Sequence, residues 1–247
     1  LAREQGRQEA AAGWLSQGLA AAEKLGDRRA EARLLLECGA VAQVWHKHER
    51  AEKFFLRSLE LHQRLNDLAG QAETQERLGL LAMDRGRLEE AGHWFRCQRQ
   101  MSVQLGLENK VAEALAHLAH LATLQRRLAD AEDCFRQSLQ IRVRLGDERG
   151  QAQSYCGLGV VSYERGLLPE AEQWFEQSLG LAERAGDQAL QIRVLHNLGN
   201  AAVLRKEFAR AEQSYGLALK LAQRLQLEPD QISLLYSLGR VAEEQKD

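Results

Sequence analysis

The chain has 247 residues, of which 28% are charged and 45% are hydrophobic, the composition of an ordinary folded protein. Its formal net charge of −2 leaves no excess of Lys and Arg to neutralise phosphates, which argues against nucleic-acid and membrane-surface binding. No stretch reaches about 18 consecutive apolar residues, and Arg3, Glu4 and Arg7 make the start unlike a signal peptide. We expect a cytoplasmic protein whose partner is a protein or peptide.

The sequence predicts helices from one end to the other. Ala, Leu, Glu, Gln and Arg dominate, and these residues lose least on entering a helix, so we predict an all-α fold. A period of 40 residues divides the chain into copies of two amphipathic helices, here called helix A and helix B. In chain order we expect a lone helix B at 1–28, copies at 29–68, 69–108, 109–148, 149–188 and 189–228, and a lone helix A at 229–247.

Helix boundaries follow from the turn residues. Helix A is predicted over 31–45, 71–85, 111–125, 151–165, 191–205 and 231–245, with helix B beginning about 17 residues later in each copy. The residues that can end helix B in the left-handed conformation are Gly26, Asn66, Gly146 and Gly186. The residues that can cap the following helix A are Asp27, Asp67, Asp147 and Asp187.

Three positions recur in the copies and predict how the helices pack. A glycine, preceded in most copies by Leu, recurs as Gly39, Gly79, Gly159, Gly199 and Gly239, with Ala119 as the exception. Twelve residues later stand Ala51, Ala91, Ala131, Ala171 and Ala211. Four residues further on stand Phe55, Phe95, Phe135, Phe175 and Tyr215. The small residues let two helix backbones approach, and we expect the aromatic ring to fill the space between successive pairs.

The Leu-Gly doublet followed by Ala-x-x-x-Phe resembles the tetratricopeptide repeat, and the resemblance covers essentially the whole chain. The period differs from the usual length of about 34 residues and is similar to the 40-residue variety in Leu-Gly-Asn repeat adaptors and kinesin light chains. HEAT and armadillo repeats share this longer period but lack the signature. The resemblance implies a right-handed α-solenoid of antiparallel helix pairs, the tetratricopeptide-repeat superhelix.

Both ends of the sequence carry half a repeat. Leu234, Leu235, Leu238 and Val241 give the last predicted helix an apolar face without a partner, whereas solenoids normally close with polar helices. We therefore expect the sequence to be a segment of a longer protein. We also expect self-association through the open terminal repeats.

In tetratricopeptide proteins the first helices line the concave surface, so the resemblance implies that helix-A side chains bind the partner. Carried onto this sequence, the peptide-binding groove consists of Arg33, Glu37, Glu73, Glu76, Arg77, Glu113, His117, His120, Tyr163, Arg193, His196, Asn197, Asn200, Tyr236 and Arg240. Acids outnumber arginines in the first half of this set. We therefore expect the bound segment to be basic where it crosses Glu73, Glu76 and Glu113.

Two asparagines of this set could pair with an extended peptide backbone, because an amide offers both a donor and an acceptor. The run His196-Asn197-Leu198-Gly199-Asn200 resembles the Leu-Gly-Asn adaptors, whose groove asparagines do this. Only one copy carries both asparagines, so solvated surface amides are an equal alternative. The carboxylate clamp of chaperone-binding tetratricopeptide domains finds a match here only at Asn197, which argues against binding of chaperone tails.

Two further patterns have competing interpretations. His117 and His120, with Glu113 one turn away, have a spacing that could hold a metal ion, but we favour ordinary groove polarity and assign no metal. Three tryptophans share one helix-B position in alternate copies, Trp14, Trp94 and Trp174. We interpret them as packing residues, with a docking strip as the alternative.

The sequence contains no Gly-rich phosphate loop, nucleophile elbow, HExxH motif or kinase signature. We therefore predict that the chain is not an enzyme and holds no cofactor. The expected function is a non-catalytic protein–protein interaction scaffold that binds a partner peptide or helix in its groove. The alternative is the sensor or regulatory repeat array of a larger signalling enzyme, a nucleotide-switch or caspase-like protein. RNA recognition is disfavoured by the acidic groove.

Overall fold

The computed structural model describes residues 2–245, with side chains from residue 10 onward. Twelve helices follow one another in this part of the chain: α1 (Ala2–Leu25), α2 (Arg28–Val44), α3 (His48–Arg64), α4 (Leu68–Asp84), α5 (Leu88–Gln104), α6 (Glu108–Leu124), α7 (Leu128–Leu145), α8 (Glu148–Glu164), α9 (Leu168–Arg184), α10 (Gln188–Leu204), α11 (Phe208–Arg224) and α12 (Glu228–Glu244). Consecutive helices pack as pairs, so the predicted all-α array of helix pairs is confirmed. Among these helices, none combines the length and apolar composition that a membrane crossing requires.

Each helix A begins three residues earlier than predicted, and in four of them a capping aspartate marks the start. The side chain of Asp27 accepts hydrogen bonds from the backbone N–H groups of Arg29 and Ala30, so α2 starts at Arg28 rather than at 31. The aspartates that cap α4, α8 and α10 in the same way are Asp67, Asp147 and Asp187. The predicted caps are confirmed, whereas the predicted helix spacing is wrong: α3 begins at His48, 20 residues after the start of α2.

Asp67 couples helix capping to pH. Its side chain accepts a hydrogen bond from the Gly70 N–H at 3.0 Å and lies 2.9 Å from Nδ1 of His62. The backbone hydrogen bond of Gly70 holds the pKa of Asp67 below its usual range, against the opposing effect of burial. A carboxyl group with a lowered folded-state pKa stabilises the fold above its unfolded pKa of about 3.9. This contribution is lost as the pH falls through the lower, folded-state pKa.

We expect Asp67→Asn to lose less stability than the wild type when the pH falls from about 5 to about 3, because the titrating group is gone. At pH 7 its free energy of unfolding should stay within about 1 kcal/mol of the wild type, since Asn is an equally good N-cap. Urea melts at the three pH values measure both effects. Asp133→Asn, which removes an exposed carboxylate of α7, is the matched control and should keep the wild-type response. An unchanged acid response of Asp67→Asn would contradict the assignment.

The chain divides into two compact units, residues 1–121 and 122–247, which we call unit 1 and unit 2. In unit 1 the pairs α2/α3 and α4/α5 pack through the predicted glycine and aromatic positions. Phe55 and Phe95 are fully buried against Gly39 and Gly79. A Cβ atom added to Gly79 would lie 2.5 Å from the Phe95 ring, too close for any side chain. Glycine here allows the ring to lie directly on the neighbouring helix backbone.

Unit 2 repeats this packing. Phe175 and Tyr215 are buried against Gly159 and Gly199, the glycines of their own pairs. Phe135 of α7 lies against Gly157 of α8, the helix A that follows it. Phe55 and Phe175 also pack with Leu78 and Leu190 of the following pair, so these rings fill the space between successive pairs as predicted.

The last helix packs more completely than expected. Leu234 and Val241 of α12 are each 1% exposed and pack with Tyr215 and Ala218 of α11. The expectation that α12 presents an unpartnered apolar face is therefore wrong for these two residues. Leu235 remains 54% exposed.

The three tryptophans of the shared helix-B position differ in their surroundings. Trp94 and Trp174 are half-buried, and the indole Nε1 of each donates a hydrogen bond at 3.3 Å to the glutamate one turn earlier, Glu90 or Glu170. These two agree with the interpretation as packing residues. Trp14 is 72% exposed, so that interpretation is wrong for it.

Candidate functional site

The helices A of unit 2 are α8, α10 and α12, and their side chains line two depressions. The larger one, which we call the polar pocket, has a volume of about 370 Å³. Its polar lining residues are Arg149, Gln153, Asp187, Arg193, His196, Asp230 and Ser233. The smaller one, which we call the aromatic pocket, has a volume of about 120 Å³. Its main lining residues are Tyr163, Asn200, Tyr215, Tyr236, Ser237 and Arg240.

The polar pocket combines a cation that has no ion-pair partner among the described side chains with a neutral imidazole. Arg149 is engaged, since its Nε donates to Oδ2 of Asp187 at 2.8 Å. Arg193 is exposed and forms no ion pair within 4 Å with the described side chains. Burial lowers the pKa of His196, against an opposing effect of Asp230, so its imidazole is uncharged at neutral pH. The pocket can therefore accept a carboxylate at Arg193, whereas Nε2 of His196 is already 3.3 Å from Oγ of Ser237, which leaves only Nδ1 for a neutral group.

The aromatic pocket presents rings together with polar groups. The buried Tyr215 hydroxyl donates to Oδ1 of Asn200 at 2.7 Å. Burial raises the pKa of Tyr215 to about 12, so this hydroxyl stays protonated and keeps its hydrogen bond. Tyr236 is 70% exposed and offers an open ring face, and Arg240 is paired with Glu244 at 3.1 Å. This arrangement suits an apolar side chain flanked by backbone amides.

The two predicted groove asparagines are already engaged inside the protein. Asn200 accepts the Tyr215 hydrogen bond. Nδ2 of Asn197 points at the sulfur of Cys156, 3.8 Å away. Both amides are half-buried rather than fully solvated, and a peptide backbone would compete with or add to these contacts.

In unit 1 the helix-A side chains form a charged cluster around Glu76. Its carboxylate accepts hydrogen bonds from Gln98 at 2.9 Å and from Lys110 at 3.4 Å, and lies 3.9 Å from Nε2 of His117. Lys110 also pairs with Glu113 at 2.6 Å. Burial acts to raise the pKa of Glu76, but His117 and Lys110 outweigh it and hold the pKa below its usual range. Glu76 and Glu113 share the single ammonium group of Lys110, so these acids are less available to a ligand than expected.

The other predicted groove residues of unit 1 differ in exposure. The exposed ones are Arg33, Glu37, Glu73 and His120, and Arg77 is half-buried. Among the described residues, no group of three or more His, Cys, Asp or Glu side chains is arranged to hold a metal ion.

Sequence reasoning missed three charged residues of these sites, Lys110, Arg149 and Asp230. Each lies within the first three residues of its helix A. The predicted helices A began three residues too late, so these three residues were not counted among the helix-A side chains of the groove. The capping aspartates, counted as the residue directly before the helix, were the signal that could have included Arg149.

Comparison with known families matches residues 110–184 and 150–224 to the tetratricopeptide repeat model. These two segments overlap and lie in the region of α6 to α11. The predicted resemblance is thereby confirmed. No curated protein matches the sequence.

Solved structures share the fold at low sequence identity. BtubC (BKLC) from P. vanneervenii is 22% identical with a TM-score of 0.75, over 89% of this chain and 92% of that chain. A Rap protein complexed with Competence and Sporulation Factor is 13% identical with a TM-score of 0.65, and the match covers 98% of this chain and 72% of that chain. A signal transduction ATPase with a tetratricopeptide repeat sensor, from Pyrococcus horikoshii, is 14% identical with a TM-score of 0.66. The match covers 92% of this chain and 38% of that chain. At these identities the likeness concerns the fold alone.

Proposed function

Since the chain belongs to the tetratricopeptide repeat family, we propose that it is a non-catalytic interaction scaffold that holds a peptide or helix of a partner protein against its helices A. Arrays of this family commonly serve protein–protein interaction, and the Rap structure holds Competence and Sporulation Factor. The fold supplies the frame, whereas the ligand is selected by the side chains of the helix-A face.

The observation that carries this proposal is the pair of pockets on α8, α10 and α12. Six of the predicted groove residues line them, namely Tyr163, Arg193, His196, Asn200, Tyr236 and Arg240. A binding site typically combines apolar or aromatic anchoring surface with a few polar groups that fix orientation. The aromatic pocket provides the anchoring surface, and the polar pocket provides the polar groups that fix orientation.

The charge of the partner segment follows from which side chains remain unpaired. Over unit 2, Arg193 favours an acidic residue in the polar pocket. Over unit 1, the proposed basic character of the partner now depends on Glu37 and Glu73, which are exposed, because Glu76 and Glu113 already share Lys110.

We expect Arg193→Glu to reduce capture of the partner from a lysate of the source organism by about tenfold, because a like charge then faces the acidic residue. Quantitative mass spectrometry of the captured proteins measures the reduction. Arg224→Glu, which makes the same charge change at the exposed end of α11, is the matched control and should leave capture unchanged.

Position-specific photocrosslinking locates the partner. A benzoylphenylalanine at Tyr236 should crosslink to the captured partner, whereas one at the exposed Gln213 of α11 should not. Crosslinking from Gln213 alone would move the interaction to the helices B and refute the helix-A site.

A second candidate is supported by the archaeal ATPase, whose repeats are described as a sensor. In this alternative the chain is the sensor or regulatory array of a larger signalling enzyme, a nucleotide-switch or caspase-like protein, and the ligand on the helix-A face controls that enzyme. The full-length coding sequence separates the two candidates, since the second requires a nucleotide-binding or protease domain on the same polypeptide.

We further propose a cytoplasmic location. Within the described part of the chain the cysteines Cys38, Cys97, Cys134 and Cys156 form no disulfide bond, which suits a reducing compartment. Fractionation of the source cells with an antibody against the chain tests this location, and recovery in an oxidising compartment would contradict it.

A further inference from the structure

Unit 1 contains a pocket that is not part of the helix-A face. It lies between α1, the C-terminal half of α2 and the start of α3, and has a volume of about 130 Å³. Its main walls are Ala12, Leu15, Leu19, Cys38, Val41 and Phe54. We call it the α1–α3 pocket.

The lining of the α1–α3 pocket is apolar, while its rim is cationic. Nζ of Lys47 lies 4.8 Å from the ring centre of Trp45, and the guanidinium carbon of Arg50 lies 5.4 Å from that of Phe54. Both cations line the pocket, and neither is within 4 Å of a carboxylate among the described side chains. Burial raises the pKa of the Cys38 thiol and Arg50 acts against it, so the charge of Arg50 is felt inside the pocket.

The next copy shows what usually occupies this space. Forty residues after Ala12 stands Glu52, and Arg85 and Arg87 stand forty residues after Trp45 and Lys47. Glu52 pairs with Arg85 at 2.5 Å and with Arg87 at 2.9 Å. The corresponding pairs of unit 2 are Glu132 with Arg165 and Glu172 with Arg205. In these three copies an ion pair joins a glutamate of helix B to the arginine that ends the next helix A, whereas Gly92 and Gln125 replace both partners in one copy.

The first copy keeps a cation of this arrangement but lacks its carboxylate. Lys47 corresponds to Arg87, yet Ala12 replaces the glutamate. The space is also less filled, because Leu15 stands in the position of Phe55, and Cys38 in that of Leu78. Lys47 therefore lies beside an unfilled apolar space without the carboxylate that its counterpart Arg87 has. A ligand with an apolar group and a carboxylate would complement both features.

We propose that the α1–α3 pocket binds an aromatic or branched apolar side chain of a partner polypeptide together with an adjacent carboxylate, which takes the place of the missing glutamate. An engineered apolar cavity of about 150 Å³ takes up benzene, so the pocket suits one side chain. It is smaller than the roughly 300 Å³ at which small-molecule sites begin. The site is separate from the helix-A face and can be tested independently of it.

The probes are fluorescein-labelled octapeptides of Gly and Ser that carry a central Phe-Asp, Phe-Asn or Ala-Asp pair, or that end in Phe with a free carboxylate. Fluorescence anisotropy should give a Kd for Phe-Asp about tenfold lower than for Phe-Asn and Ala-Asp. The affinity should fall as salt is raised, because the carboxylate pairs with exposed cations. Comparison of the internal and C-terminal peptides distinguishes the two sources of the carboxylate.

We expect Ala12→Glu to weaken Phe-Asp binding by about tenfold or more, because the chain then supplies the carboxylate itself. Gln17→Glu, an exposed position on the same helix, is the matched control and should bind like the wild type. Leu15→Phe fills the apolar space and gives a second test should Ala12→Glu change the circular dichroism spectrum.

Equal binding by the wild type and both pocket variants would overturn the proposal, as would equal affinity for Phe-Asp and Phe-Asn, or no binding of any octapeptide. Arg193→Glu should leave Phe-Asp binding unchanged. A loss of binding in that variant would place the peptide on the helix-A face instead, and would overturn the α1–α3 assignment while supporting the proposed function.

Discussion

Replacing Phe175 by Ala is expected to lower the free energy of unfolding by about 3 to 5 kcal/mol. The Phe175 side chain is 1% exposed and covers the backbone of α8 at Gly159. It also packs in the core cluster that contains Leu190 and Val194 of the next helix A. Truncation therefore leaves a cavity that borders three helices. The glycine cannot fill this cavity, because it has no side chain to move.

Urea melts followed by far-UV circular dichroism measure the loss. Phe175→Leu is the matched control and should cost less than about 1.5 kcal/mol, since most of the buried volume is kept. A loss under about 1 kcal/mol for Phe175→Ala would mean that the aromatic position does not hold successive helices together. Repeat arrays can unfold in parts, so the melt should be repeated with tryptophan fluorescence as a second probe.

The repeat pattern predicted the packing because packing is periodic. Gly159 and Phe175 recur in the next copy as Gly199 and Tyr215, and one geometric reason holds for both, namely the close approach of a ring to a helix backbone. Asp27 likewise predicted a helix N-terminus correctly, because capping depends only on residues within one turn. Features that depend on contacts within one helical turn, or that repeat in every copy, could be predicted from the sequence.

The charged sites were less accessible because they depend on which copies break the pattern. Lys110 can pair with both Glu76 and Glu113 because it lies in the first turn of α6, one residue outside the predicted helix. The α1–α3 pocket exists because Ala12 and Trp45 replace an ion pair. These replacements can be interpreted only when the structure shows that Glu52 and Arg85 form an ion pair at the equivalent positions of the next copy.

A second departure from the pattern concerns two buried basic side chains. His62 of α3 and Arg142 of α7 share one position of helix B, and both are buried. In each case the facing residue of the next helix A is a glycine, Gly70 or Gly150. Arg142 Nη1 donates to the carbonyl of Gly150 at 2.6 Å and to Ser154 Oγ at 3.1 Å. The large side chain and the glycine therefore form a matched pair.

We expect Gly150→Ala to destabilise the protein by about 2 to 3 kcal/mol, although Ala normally favours a helix. A Cβ at this position would lie 2.7 Å from Cδ and Nε of Arg142, and closer still to the Asp147 carboxylate. Arg142 would have to withdraw from its hydrogen bonds within the core. Gly180→Ala is the matched control, because a Cβ there meets no neighbour, and it should be stabilising by up to about 1 kcal/mol.

A double-mutant cycle isolates the pair. In an Arg142→Ala background only the Asp147 carboxylate still crowds the new Cβ. A capping aspartate tolerates alanine at this position in α2, where Asp27 accepts from the N–H of Ala30. Gly150→Ala should then cost less than about 0.5 kcal/mol or become stabilising through helix propensity. The coupling free energy between the two positions is then about 2 kcal/mol or more. Urea melts of the four proteins measure it. If Gly150→Ala is equally costly with and without Arg142, the glycine is required by the Asp147 cap rather than by the buried guanidinium, and the matched-pair explanation is wrong.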